Sequence, residues 1–179
     1  MYFNKGDLDR MDKKTMKFDE NDRYMVIKKL QDTLHVSLSP IRNYRKYLKD
    51  ENGNRYCVLG GYDTWHGIPG LIIDERTIAN VKRYLVIAVK FKSKMDLYMG
   101  LMDPLIENKH KLTKTKEGEY HFDINTRNDA LYINQLPGIH LTKIAEVENL
   151  KDIYEKFNKL SDAEKNDILK KLIAMTESK

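Results

Sequence analysis

The sequence predicts an α+β domain. Three observations carry that expectation: the β-branched run YLVIAVKF at 84–91, three strand-like runs between 118 and 147 joined by turn chemistry, and capped helical periodicities near both ends. At 179 residues, 41% hydrophobic and 33% charged, the chain is long enough to bury a core as a single domain over 1–179 without staples.

Residues 1–20 are polar and of mixed charge, an expected N-terminal arm. NDRYMVIKKLQDT predicts a helix capped by Asn21 or Asp22, with Tyr24, Ile27 and Leu30 near one face. LHVSLS reads as a strand. PIRNYRKYLKDENGN reads as a helix opened by Pro40 and closed by an Asn-Gly-Asn turn. RYCVLG is a strand, and GGYDTWHGIPG the most loop-like segment, carrying Tyr62, Trp65 and His66 among glycines. GLIID reads as a short apolar strand and ERTIANVKR as a turn or short helix. YLVIAVKF, nearly continuous in apolar residues, reads as a central strand covered on both faces. MDLYMGLMDPLIENKHKL fits strand or helix and is broken by Pro104, its methionines reading as core filler. GEYHFDIN, DALYINQL and GIHLTKIAEV are strands joined by TRND and PG. A helical pair over 147–178 closes the chain, the second helix opening with a capping box from Ser161 to Glu164. About seven strands are expected in all.

A net charge of +5 with 27 acidic residues favours an anionic partner mildly, and suits a small or single-stranded phosphate ligand as well as a duplex. One cysteine, Cys57, excludes an internal disulfide and a cysteine-rich zinc site and points to a reducing cytoplasm. The start is too polar for a secretory signal, and no apolar run approaches the roughly 20 residues that span a bilayer, so no membrane partner is expected.

Two stretches share a pattern. LHVSL and IHLTK both read apolar–His–apolar–Ser/Thr, at His35 and Ser37 and again at His140 and Thr142. On a strand, residues i and i+2 project to one face, so each pair would present an imidazole beside a hydroxyl. Either histidine alone could be a core or edge residue; a repeat among only five histidines singles them out. If the strands meet, the set suits a phosphodiester. One neutral imidazole takes a proton, one protonated imidazole releases the leaving oxygen, and the hydroxyls donate to phosphoryl oxygens. No compact carboxylate–histidine cluster has metal-ligand spacing, so neither a metal nor another cofactor is expected.

On these two motifs the chain resembles the two-histidine phosphoesterases, the superfamily of RNA-ligase-like cyclic phosphodiesterases. The resemblance implies a strand-rich core of two lobes about a central groove. It implies metal-independent hydrolysis of a cyclic nucleotide, or of short RNA with 2′,3′-cyclic phosphate ends or 2′–5′ linkages, by His35 and His140. Ser37 and Thr142 would bind the phosphate. Some phage members of the superfamily degrade cyclic nucleotide immune signals, which suggests an anti-defence setting.

Three rivals remain open. His66, framed by Gly and Pro beside Trp65, could serve a toxin-type endoribonuclease, with Trp65 and Tyr62 stacking a base; the alternative is a rigid turn with Trp65 plugging the core. His121 could be oriented by Asp123, or could simply face solvent. The chain could also be a non-catalytic protein that binds nucleic acid or another protein. A metal-dependent nuclease core built on Asp74, Glu75 and Lys90 is excluded, because Ala88 occupies the position of its second acid.

Overall fold

The computed structural model describes residues 18–42, 44–61, 65–91, 94–148 and 157–177. It divides into two compact units, Met1–Val147 and Glu148–Lys179. The first holds α1 (Glu20–Leu34), β1 (Ser39–Ile41), β2 (Tyr44–Lys49), β3 (Arg55–Gly61), β4 (Trp65–Pro69), α2 (Gly70–Ile73), β5 (Arg83–Lys90), β6 (Lys94–Leu101), α3 (Asp103–Glu107), β7 (Thr113–Lys114), β8 (Glu119–Arg127), β9 (Ala130–Ile133) and β10 (His140–Glu148). The class is α+β, as the sequence predicts.

The strands form one open path, β1-β2-β3-β5-β6-β10-β9-β8-β4, with β7 pairing beside it on β8. Strands β3 and β5 run parallel, whereas β1–β2, β2–β3, β5–β6, β4–β8, β7–β8, β8–β9 and β9–β10 are antiparallel. β5 lies between β3 and β6 and is buried on both faces, which is why its sequence does not alternate. One face of the sheet turns Cys57, Leu59, Leu85, Ile87, Phe122, Ile124, Leu131 and Leu141 into a core shared with α2 and α3. The other face turns Val58, Val86, Ala88 and Leu97 toward α1, whose Val26 and Leu30 are fully buried.

Several local expectations are corrected. The cap of helix α1 is Asp19, two residues before Asn21, the earlier of the two expected caps; Asp22 completes a capping box instead of capping. LHVSLS is not a strand. α1 runs through Leu34, and His35, at φ 54° and ψ 44°, ends it by donating its N–H to the Gln31 carbonyl. PIRNYRKYLK forms β1 and β2 in place of a helix, because Tyr47 fills one core while its neighbour Leu48 fills the other. GLIID forms the short helix α2, and Trp65–Pro69 of the glycine-rich segment forms β4.

The β8–β9–β10 meander matches its sequence signals. Asn128 and Asp129 both adopt positive φ (52° and 56°), the conformation a two-residue hairpin turn requires, and this sets Arg127 opposite Ala130. In the second unit, α4 (Asp162–Glu177) has the expected box: Ser161 Oγ lies 2.6 Å from Glu164 Oε2, and the Ser161 N–H donates to the same oxygen at 2.8 Å. The first member of the expected terminal helical pair falls largely outside the described residues, as does the arm to residue 17.

Candidate functional site

Alternation along the meander decides which side chains reach solvent. Ile124 of β8, Leu131 and Ile133 of β9, and Leu141 of β10 point into the core, so Asn125, Tyr132, His140 and Thr142 project from the opposite, outer face. Registry places Tyr132 between Asn125 and His140, and Ala130 between Arg127 and Thr142. The Tyr132 and His140 rings lie 5.9 Å apart, inclined by 35°. On the diagonal, the Arg127 guanidinium sits 5.2 Å from the centre of the Tyr132 ring. Arg127 is exposed and makes no ion pair among the described residues. A flat ring, a fixed cation, an imidazole and a hydroxyl thus share one patch.

The same face continues onto β4. Trp65 is 43% exposed, and its ring lies 5.2 Å from that of His121 on β8. Gly67 permits this arrangement: a Cβ there would sit 2.6 Å from His121 Nε2. Nε2 is 3.0 Å from Glu119 Oε2, whereas the buried Nδ1 has no hydrogen-bond partner among the described residues. Below this pair lies an open cavity of about 750 Å³, lined by Gly70, Leu71, Asp74, Lys114 and Thr115 besides His121. Asp74 is already bound by Lys109, and hydrogen bonds from its own backbone and from Thr115 hold the Glu117 carboxyl below its ordinary range.

The two repeated motifs are not structural twins. His140 and Thr142 project together from β10, as the i,i+2 spacing predicts. His35 instead caps a helix, and Ser37, in the following coil, donates its N–H to Glu51 at 2.9 Å. Glu51 belongs to the turn before β3, and β5 and β6 stand between β3 and β10. The expectation that His35 and Ser37 share one strand face is therefore corrected: the αL residue ends the helix where a strand was needed.

His66 also changes role. It points inward from β4, 7% exposed, with its ring 6.3 Å from that of Phe122. Trp65, the residue expected to plug the core, is the one outside. Tyr62 lies outside the described residues. His121 is held by Glu119 and not by Asp123, which accepts from Gln135 Nε2 at 3.1 Å. Lys90 forms a buried pair with Asp22, and Lys143 turns to Asp96 and Glu146, away from Thr142. Tyr132 and Arg127 escaped the sequence reading. Their signal was the Asn128–Asp129 turn, which fixes the register that brings both to His140.

Among the described residues, no group of three or more His, Cys, Asp or Glu side chains is arranged to hold a metal ion. No described helix is long and apolar enough to cross a membrane. No family model, curated protein or solved structure matches this chain.

Proposed function

We propose that the protein binds nucleotides through the outer face of the β8–β9–β10 meander. A single observation carries this reading: the exposed Arg127, His140 and Thr142 share one outer-face patch with the half-buried Tyr132, which joins a stacking ring to phosphate donors. An aromatic ring on a sheet accepts a nucleobase whatever its sequence, because every base has a π face. The Arg127 guanidinium can hold a phosphate in fork geometry, and the Thr142 hydroxyl and His140 imidazole can donate to its oxygens. The net charge of +5 supports capture of a polyanion.

The test is binding of a fluorescent hexauridylate, followed by anisotropy at several salt concentrations. The reading expects affinity to fall with salt, and Arg127→Ala to flatten the slope by about 0.7. Affinity indifferent both to salt and to Arg127→Ala would contradict it.

A second reading is favoured by the shared exposure of His140 and Thr142. The patch could hydrolyse the phosphodiester it binds, whether in a cyclic nucleotide or in short RNA with a 2′,3′-cyclic phosphate or 2′–5′ linkage. Water would attack phosphorus as the P–O ester bond breaks, His140 taking the water's proton and returning one to the departing oxygen, while Thr142 would steady the phosphoryl oxygen. His35 would then take no part in the step. Turnover of cyclic dinucleotides or 2′,3′-cyclic-phosphate RNA that survives His35→Ala but not His140→Ala supports hydrolysis; bound substrate recovered intact restricts the protein to binding.

A further inference from the structure

Resting on the nucleotide-binding reading, we infer that the site extends across β8 to β4 and takes a single-stranded oligonucleotide, with Trp65 as a second stacking station. Trp65 pairs in register with Asp123, two residues along β8 from Asn125, which faces Tyr132. Two strand spacings and two residues of rise separate the rings by roughly 12 Å. Stacked bases of a duplex rise only about 3.4 Å along its axis, whereas an open strand can spread its bases, so two bases of one open strand, and not one base, reach both rings.

The surface between the stations is polar in a way that suits bases. Asn125 Nδ2 donates to Asn134 Oδ1, and Gln135 is held against Asp123, so three side-chain amides border the path. Amides offer a donor and an acceptor together, which is what an unpaired base edge requires. Arg127 supplies the cation beside Tyr132, while Asp123 accepts from Gln135 at 3.1 Å and Glu119 lies 3.0 Å from His121 Nε2. A duplex hides its base faces and could use neither ring.

Trp65 is the only tryptophan, so its fluorescence reports on this station alone. The experiment titrates the intact protein with uridylates of one, two, four and six residues and with a hexanucleotide duplex. It reads Trp65 emission alongside anisotropy, for the native chain and for Trp65→Ala and Trp65→Phe. Expected are quenching by the longer single strands and affinity rising about tenfold or more from one residue to four. Trp65→Ala should remove that gain while leaving the mononucleotide affinity unchanged, and Trp65→Phe should restore most of it. Length-independent affinity, unquenched Trp65 at saturation, or equal binding of the duplex would each overturn the extension while leaving the Tyr132 site standing. Failure of every nucleotide to bind would overturn both readings.

Discussion

Tyr132 and His140 stand opposite each other on β9 and β10, rings 5.9 Å apart, with His140 exposed and Tyr132 half-buried. Neither ring is needed to fill the interior, since Leu131, Ile133 and Leu141 do that from the other side. Tyr132→Ala should therefore leave the fold intact and weaken hexauridylate binding by about 1–3 kcal/mol, the usual worth of one base–aromatic stack. Anisotropy and a thermal melt on the same variant check both halves of this expectation.

The Asp22–Lys90 pair belongs to stability. Lys90 Nζ lies 2.5 Å from Asp22 Oδ2, both side chains are more than nine-tenths buried, and Asp22 also closes the α1 capping box. Replacing one partner breaks a buried ion pair while leaving the other charge inside. Asp22→Asn should cost about 3–5 kcal/mol in urea unfolding, and the double variant Asp22→Leu/Lys90→Met less than Lys90→Met alone. A single-variant loss below about 1 kcal/mol would contradict this assignment.

Cys57 sits wholly inside β3, and burial pushes its thiol up to about 12. The thiolate is the reactive form. Ellman's reagent should leave the native protein unmodified at pH 8 and label one thiol per chain in denaturant. Rapid labelling of the native protein would show that this part of β3 opens.

Glu146 gives the fold a dependence on acid. Hydrogen bonds from Lys94, and then from Lys143, hold its carboxyl down at about 2. A carboxyl whose folded value lies below its unfolded one binds more protons when unfolded, so its contribution is complete above the ordinary carboxylate range. It is lost as pH falls from about 4.5 toward 2. Over that window the native chain should lose stability more steeply than Glu146→Gln, as measured by urea midpoints at successive pH values. Parallel curves would show that the Lys94–Glu146–Lys143 cluster adds nothing.

Gly67 ties the backbone of β4 to the Trp65–His121 contact. Because a Cβ there would meet His121 Nε2 at 2.6 Å and Cε1 at 2.9 Å, Gly67→Ala should swing the imidazole off the indole. The ring end of a side chain can move, so the cost in stability should be small and the change in Trp65 emission clear. Unchanged emission would mean the rings do not depend on Gly67.

What was legible in the sequence was set locally. The unbroken apolar run of β5, the Asn-Asp turn between β8 and β9, and the Ser161–Glu164 box each specify their structure within a few residues. What was missed depends on distant partners. LHVSLS alternates like a strand, yet α1 extends through Leu34 to cover Leu48, Val58 and Val86, and its end consumes His35 as a cap. The choice of His66 or Trp65 as the inward ring rests on a one-residue phase in β4, fixed by pairing with β8 some 55 residues later. The motif at His140 kept its predicted facing because its strand is pinned by the preceding hairpins; the motif at His35 had no such neighbour.

Chemical-shift mapping tests the central claim most directly. Isotope-labelled protein is titrated with hexauridylate, following backbone amides together with tyrosine and histidine ring signals. The outer-face site predicts the largest shifts at Arg127, Tyr132, His140 and Thr142, with α1 and His35 unmoved. Shifts gathered instead around His35 and Ser37, or around Lys114 and Thr115 at the cavity, with the His140 ring unchanged, would contradict it.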